Sequence, residues 1–110
     1  MIFVTGPFCA GKAEYIKNAL KLDDADLAAC SVRDVQELVP CGDLEALADR
    51  LAQKRVVIAT ELGGGVVPVD AGQRLKREQA GRLACLLAAR ADTVIRVCCG
   101  LPELLKGEWP

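Results

Sequence analysis

The sequence predicts an α/β fold in three layers, a small and mostly parallel sheet flanked by helices. Three observations point there. Short apolar runs of the kind buried on both sheet faces recur at Ile2–Thr5, Arg55–Thr60 and Thr93–Cys99. Segments with helical spacing alternate with them. The connections are short, which implies right-handed crossovers between parallel strands rather than hairpins. One domain, 1–110, accounts for the length: a chain of 110 residues that is 52% apolar buries a sufficient core without disulfides or a metal.

Taken in order, Ile2–Thr5 is a buried strand closed by Gly6, and a helix follows from Gly11 to Leu20 with Ala13, Ile16 and Leu20 on its inner face. Ala25–Cys30 reads as a short strand after the acidic turn Asp23-Asp24. Arg33–Leu38 is either a helical turn or a loop, stopped ahead of Pro40, because proline disfavours helix in the residue before it. Pro40-Cys41-Gly42 breaks regular structure. Asp43 then N-caps a helix over Leu44–Gln53, whose Leu44, Leu47, Ala48 and Leu51 form one apolar stripe. Arg55–Thr60 is the second strong strand, and Gly63-Gly64-Gly65 interrupts the chain after it. Ala71–Ala91 predicts a long helix that buries Leu75, Leu83, Leu86 and Leu87. Thr93–Cys99 is the third strong strand, ended by Gly100-Leu101-Pro102, and 106–110 is expected to fray.

Charge and composition exclude several classes of function. Fourteen basic residues against fifteen acidic ones, with no cationic block, argue against nucleic acid as a partner. No apolar stretch reaches the ~20 residues of a membrane span and no basic segment precedes a signal-like run, so a cytoplasmic location and no membrane partner are expected. The six cysteines show no C-x-x-C pair and there is no histidine to complete a mixed zinc site, so no metal site is read from them. They are expected to be reduced and mostly buried, apart from Cys9.

Cys9 lies in the stretch that carries the chemistry. Gly6-Pro7-Phe8-Cys9-Ala10-Gly11-Lys12 matches G-x-x-x-x-G-K between a predicted strand and a predicted helix. Glycines let the chain curl so that successive N–H groups and the positive helix end face phosphate oxygens, while the lysine reaches the β- and γ-phosphates. Gly6, Pro7, Phe8, Cys9, Ala10, Gly11, Lys12 and Ala13 are therefore the candidate nucleotide-binding residues, for ATP or GTP. The alternative is a tight turn with an exposed lysine. Ala13 stands where a Ser or Thr hydroxyl ligates Mg²⁺, and a methyl cannot coordinate a metal. Thr5 faces the wrong way to substitute, whereas a carboxylate such as Glu61 could hold an ion through its waters. Glu61, at the carboxyl end of a parallel strand, either orients a substrate hydroxyl or caps the glycine turn by accepting N–H bonds. Lys12 and Glu61 are the candidate catalytic residues. Arg74 and Arg77 are read as a solvated helix face in preference to anion contacts.

Beyond the loop, TELGGGVVPVD (60–70) and ARADTVIRVCCGLPELLK (89–106) resemble the bifunctional adenosylcobinamide kinase/adenosylcobinamide-phosphate guanylyltransferase family of cobalamin biosynthesis. Arg74, Arg77 and Gly81 fit a further family motif, with Glu78 for aspartate, Lys76 for an aromatic residue and Ala84-Cys85 for Asn-Gln. VRDVQELVP (32–40) is similar to the family's W-R-T-I-E-E-P stretch, with Val32 for tryptophan. The resemblance implies a P-loop NTPase-like (RecA-like) fold, ATP or GTP and Mg²⁺ as cofactors, adenosylcobinamide as a substrate, and a homotrimer. It also locates two losses. The segment with the guanylylated histidine would fall between Cys30 and Val32, and an aspartate-bearing strand between Leu51 and Arg55. Three readings stay open: a reduced kinase that keeps phosphoryl transfer without guanylyl transfer, a non-catalytic nucleotide- or corrinoid-binding module with a regulatory or assembly role, or a small structural domain that binds nothing at the loop.

Overall fold

A computed structural model describes residues 1–62 and 69–110. The expected glycine turn at 63–65 and Pro68 lie outside the described residues. The five described strands form one sheet of order β2-β3-β1-β4-β5. They are β1 (Ile2–Gly6), β2 (Ser31–Val32), β3 (Val56–Thr60), β4 (Thr93–Cys98) and β5 (Leu101–Lys106). The first four run parallel, and β5 returns antiparallel to β4.

Helices cover both faces, as strands apolar on both sides require. In β1 the side chains alternate: Val4 joins Ile16 of α1 (Lys12–Leu20) and Leu27 of α2 (Asp24–Cys30) in one core, with Ile58, Ile95 and Val97. Phe3 points the other way, into a second core with Leu47 and Leu51 of α3 (Leu44–Leu51) and Leu83 and Leu87 of α4 (Ala71–Arg90). Ile16 and Leu87 are fully buried, so truncating either to alanine costs about 2–5 kcal/mol in transfer and cavity terms. On the outside, Arg90 of α4 forms ion pairs with Glu45 and Asp49 of α3, holding the two helices in register.

Several expectations are corrected. Residues 24–30 form helix α2 rather than a strand. The Asp23 carboxylate accepts a hydrogen bond from the Asp26 N–H at 2.7 Å, a cap that starts a helix over residues whose alanines favour it, and the strand is delayed to Ser31–Val32. The helical option holds within Arg33–Leu38, as a 3-10 helix at Val35–Leu38. Leu75 is exposed, ahead of the α4 residues from Ala80 onward that join the core, and Leu86 is only partly buried there. The chain does not stop at Gly100-Leu101-Pro102. Cys99 and Gly100 both have positive φ, which turns a hairpin into β5, where proline is tolerated because the strand is at the sheet edge. Lys106, expected to fray, pairs with Val94 and donates to the carbonyls of Ala88 and Ala89 at the end of α4. None of the six cysteines is buried: Cys30 and Cys41 are half-buried, and the other four, on the loop, the hairpin and the outer face of α4, are exposed.

Candidate functional site

The carboxyl ends of β1 and β3 open onto the turn that leads into α1. Gly6 ends β1 so close to β4 that a Cβ on it would lie 2.1 Å from the Val97 carbonyl oxygen, so only glycine fits. Cys9 and Gly11, with φ of 55° and 84°, bend the next residues back. The buried Ala10 anchors the bend: its carbonyl accepts a hydrogen bond from the Gly100 N–H at 2.8 Å, docking the loop on the β4–β5 turn. Phe8 and Cys9 form the exposed tip.

Helix α1 begins immediately afterwards with Gly11 as its N-cap, and glycine offers no side chain to the first-turn N–H groups. Those donors and the positive helix end face the loop. Lys12, the first helical residue, is buried, and its Nζ donates to the carbonyl of Pro7 at 2.7 Å and to that of Gly6 at 3.4 Å. Burial pulls the Lys12 pKa below its ordinary value, against the opposing pull of Asp34, Glu61 and Cys9. Residues 8–13 line one wall of a pocket of about 540 Å³; Ser31, Arg33, Asp34 and Thr60 contribute to the rest. The structure thus brings Lys12, Ala13 and the loop together.

Glu61 comes close enough for its charge to act on Lys12, but its side chain has another partner. The Glu61 N–H extends the β3 ladder by donating to the Gly6 carbonyl at 2.9 Å, but its carboxylate is gripped by the Arg96 guanidinium, Nε to Oε1 at 2.7 Å and Nη2 to Oε2 at 3.0 Å. Both oxygens are engaged. The ion pair draws the Arg96 pKa further up, and the glycine turn that Glu61 is expected to cap lies outside the described residues. Glu61 lines a second cavity of about 260 Å³ between the sheet and α4, walled by Thr5, Val35, Ala59, Leu83 and Leu87. Thr5 is on that side too, away from the loop pocket. Arg77 also lines the second cavity, while Arg74 donates to the Val69 carbonyl at 2.7 Å.

The loop itself offers no side-chain oxygen for Mg²⁺ beside Lys12; the carboxylate of the pocket that would hold an ion through its waters is Asp34. Ala13 presents a methyl group and Glu61 is committed to Arg96. Among the described residues, no three His, Cys, Asp or Glu side chains gather as ion ligands.

Three residues to which the sequence alone does not point shape this corner. Arg96 sits within an apolar strand, where a charged residue is itself a signal. Asp34 follows β2 with a φ of 54° and faces the loop pocket. Gln36 is buried, and its Oε1 accepts the Thr60 N–H at 2.9 Å.

The sequence profile of the cobinamide kinase / cobinamide phosphate guanyltransferase family matches residues 33–105, well over half of the chain. The chain belongs to this family. Comparison with curated proteins gives no match. The fold agrees with the family's P-loop-like α/β architecture, and membership ties the chain to nucleotide binding and cobalamin biosynthesis. The matched stretch starts after the loop, so residues 6–13 are read from their own geometry. Among the described residues, no helix is long and apolar enough to cross a membrane.

Proposed function

We propose that this member of the cobinamide kinase / cobinamide phosphate guanyltransferase family binds ATP or GTP through residues 6–13. The observation that carries the reading is Lys12, at the open N-terminus of α1, curled beneath a glycine-bounded loop in a pocket of about 540 Å³. On binding, phosphate oxygens replace the Pro7 and Gly6 carbonyls as partners of Lys12, and the loop amides neutralise the remaining charge. Lys12 releases a carbonyl that water can satisfy and gains a charged acceptor.

Phosphoryl transfer to a cobinamide-like hydroxyl needs more than the cradle. Its barrier depends on charge neutralisation by a positioned ion, and each ~1.4 kcal/mol lost there is about tenfold in rate. These 110 residues contain no histidine, so the family's histidine-linked guanylyl intermediate has no acceptor in them. Glu61 could align an acceptor hydroxyl only after leaving Arg96. That pair favours a second reading, a non-catalytic nucleotide- or corrinoid-binding module.

Calorimetric titration of ATP and GTP against wild type and Lys12→Ala tests the binding. Binding by wild type that Lys12→Ala weakens at least tenfold supports it; equal or absent binding by both proteins removes it. A turnover assay with cobinamide then separates kinase from module. Sustained transfer excludes the inert module, and none at high protein concentration excludes the kinase.

A further inference from the structure

The charges around the loop pocket balance one another. Its lining carries Lys12, Lys17 and Arg33 against Glu14, Asp24 and Asp34, a balance of three and three among the described residues. Lys17 is consumed locally, since its Nζ bonds Glu14 at 3.1 Å and Asp24 at 3.1 Å. That leaves Lys12 and Arg33 to meet an anion, and Asp34 to oppose it.

Asp34 is held in place rather than free to swing away. Its carbonyl accepts the Glu37 N–H at 3.0 Å, which fixes it at the head of the 3-10 helix in a left-handed conformation. Its Oδ1 lies 3.4 Å from Nε2 of the buried Gln36, whose Oε1 is tied to the Thr60 backbone. Among the charged groups acting on Lys12, Asp34 has the largest effect. A fixed carboxylate beside the phosphate lysine repels an incoming ligand in proportion to the ligand's negative charge.

We infer that Asp34 is a specificity-determining residue that limits the charge of the phosphoryl ligand taken at the loop. The ligand class is a phosphoryl compound of low net charge: a nucleoside monophosphate, or a polyphosphate whose charge is already reduced by a divalent cation. This rests on residues 6–13 binding phosphate.

The test is titration of AMP, ADP and ATP in excess EDTA at low ionic strength, and of ATP with Mg²⁺, against wild type and Asp34→Asn. Asparagine keeps the shape and tolerates the left-handed backbone, so the variant changes charge and little else. The expected result is an affinity gain in Asp34→Asn that grows with ligand charge, by about threefold for each added phosphate, and shrinks when Mg²⁺ is present. A gain equal for AMP, ADP and ATP, or none while wild type binds, overturns the inference and leaves the loop reading intact. No binding of any of the three by wild type overturns both.

Discussion

Arg96 of strand β4 and Glu61, just past the end of strand β3, lie on opposite sides of β1, and their side chains meet over the strand between them. Register explains the meeting. Arg96 pairs with Thr5 of β1 while Thr60 pairs with Gly6, so Glu61 follows one residue past the ladder on the face that Arg96 shares. The bidentate bond links the carboxyl ends of β3 and β4 across β1 and engages both oxygens of the Glu61 carboxylate.

Because each member of this pair has its main charged partner in the other, their removal should be non-additive. Glu61→Gln and Arg96→Gln each lower the melting temperature slightly, as expected for a pair near solvent, and the double variant is about as stable as either single one. Thermal unfolding of the three variants checks this. Losses that simply sum would mean that the two side chains act independently.

The buried Lys12 makes stability depend on alkaline pH. Its folded pKa is lowered below 10.5, chiefly by burial, so between the folded and unfolded values the unfolded chain binds more protons and stability rises with pH. Measured against Lys12→Met, which lacks this titration, wild type should gain in relative stability as pH climbs toward 10.5 and stop gaining above it. Denaturant melts at a series of pH values read the difference directly; a flat or falling difference contradicts the burial of a charged lysine.

Two glycines predict opposite outcomes. A Cβ at Gly6 would lie 2.1 Å from a β4 carbonyl oxygen, so Gly6→Ala costs about 3 kcal/mol or more and displaces the loop. Gly81, within α4, has open space where a Cβ would sit, with no neighbouring atom within 4 Å, so Gly81→Ala stabilises by about 0.5–1 kcal/mol through helix propensity and a stiffer unfolded chain. Denaturant midpoints of the two variants on either side of wild type would confirm the contrast.

Ala13→Ser places a hydroxyl on the pocket wall where wild type has a methyl group. If the loop holds phosphate, this variant raises ATP affinity in Mg²⁺ by about tenfold and leaves it unchanged in EDTA. Equal affinities in both buffers would place the phosphates away from residue 13.

The strong strands and the helices at 12–20 and 44–51 are legible because burial imposes patterns on sequence, unbroken apolar runs for strands covered on both faces and a repeating stripe for helices covered on one, while the helix at 71–90 is legible from its alanine and leucine content. Residues 25–30 carried no such pattern. Six residues of alanine, aspartate, leucine and cysteine fit either structure, and the deciding signal was the Asp23 cap just upstream. Strand β5 was hidden by Pro102, which reads as a stop unless the strand is known to lie at an edge. At the site, the loop was legible since its geometry is local, set by Gly6, Gly11 and Lys12 within seven residues of chain. The Glu61–Arg96 pair and the approach of Asp34 to Lys12 depend on which strands are neighbours and in what register, and no single segment records that.

The most direct test is the amide NMR spectrum of isotopically labelled protein during addition of ATP, and of GTP in a parallel sample. Nucleotide binding at the loop predicts saturable shifts concentrated at residues 8–13, with Gly11, Lys12 and Ala13 among the largest, and their loss in Lys12→Ala. Saturable shifts elsewhere with residues 8–13 unmoved, or no shifts at millimolar nucleotide, would contradict it.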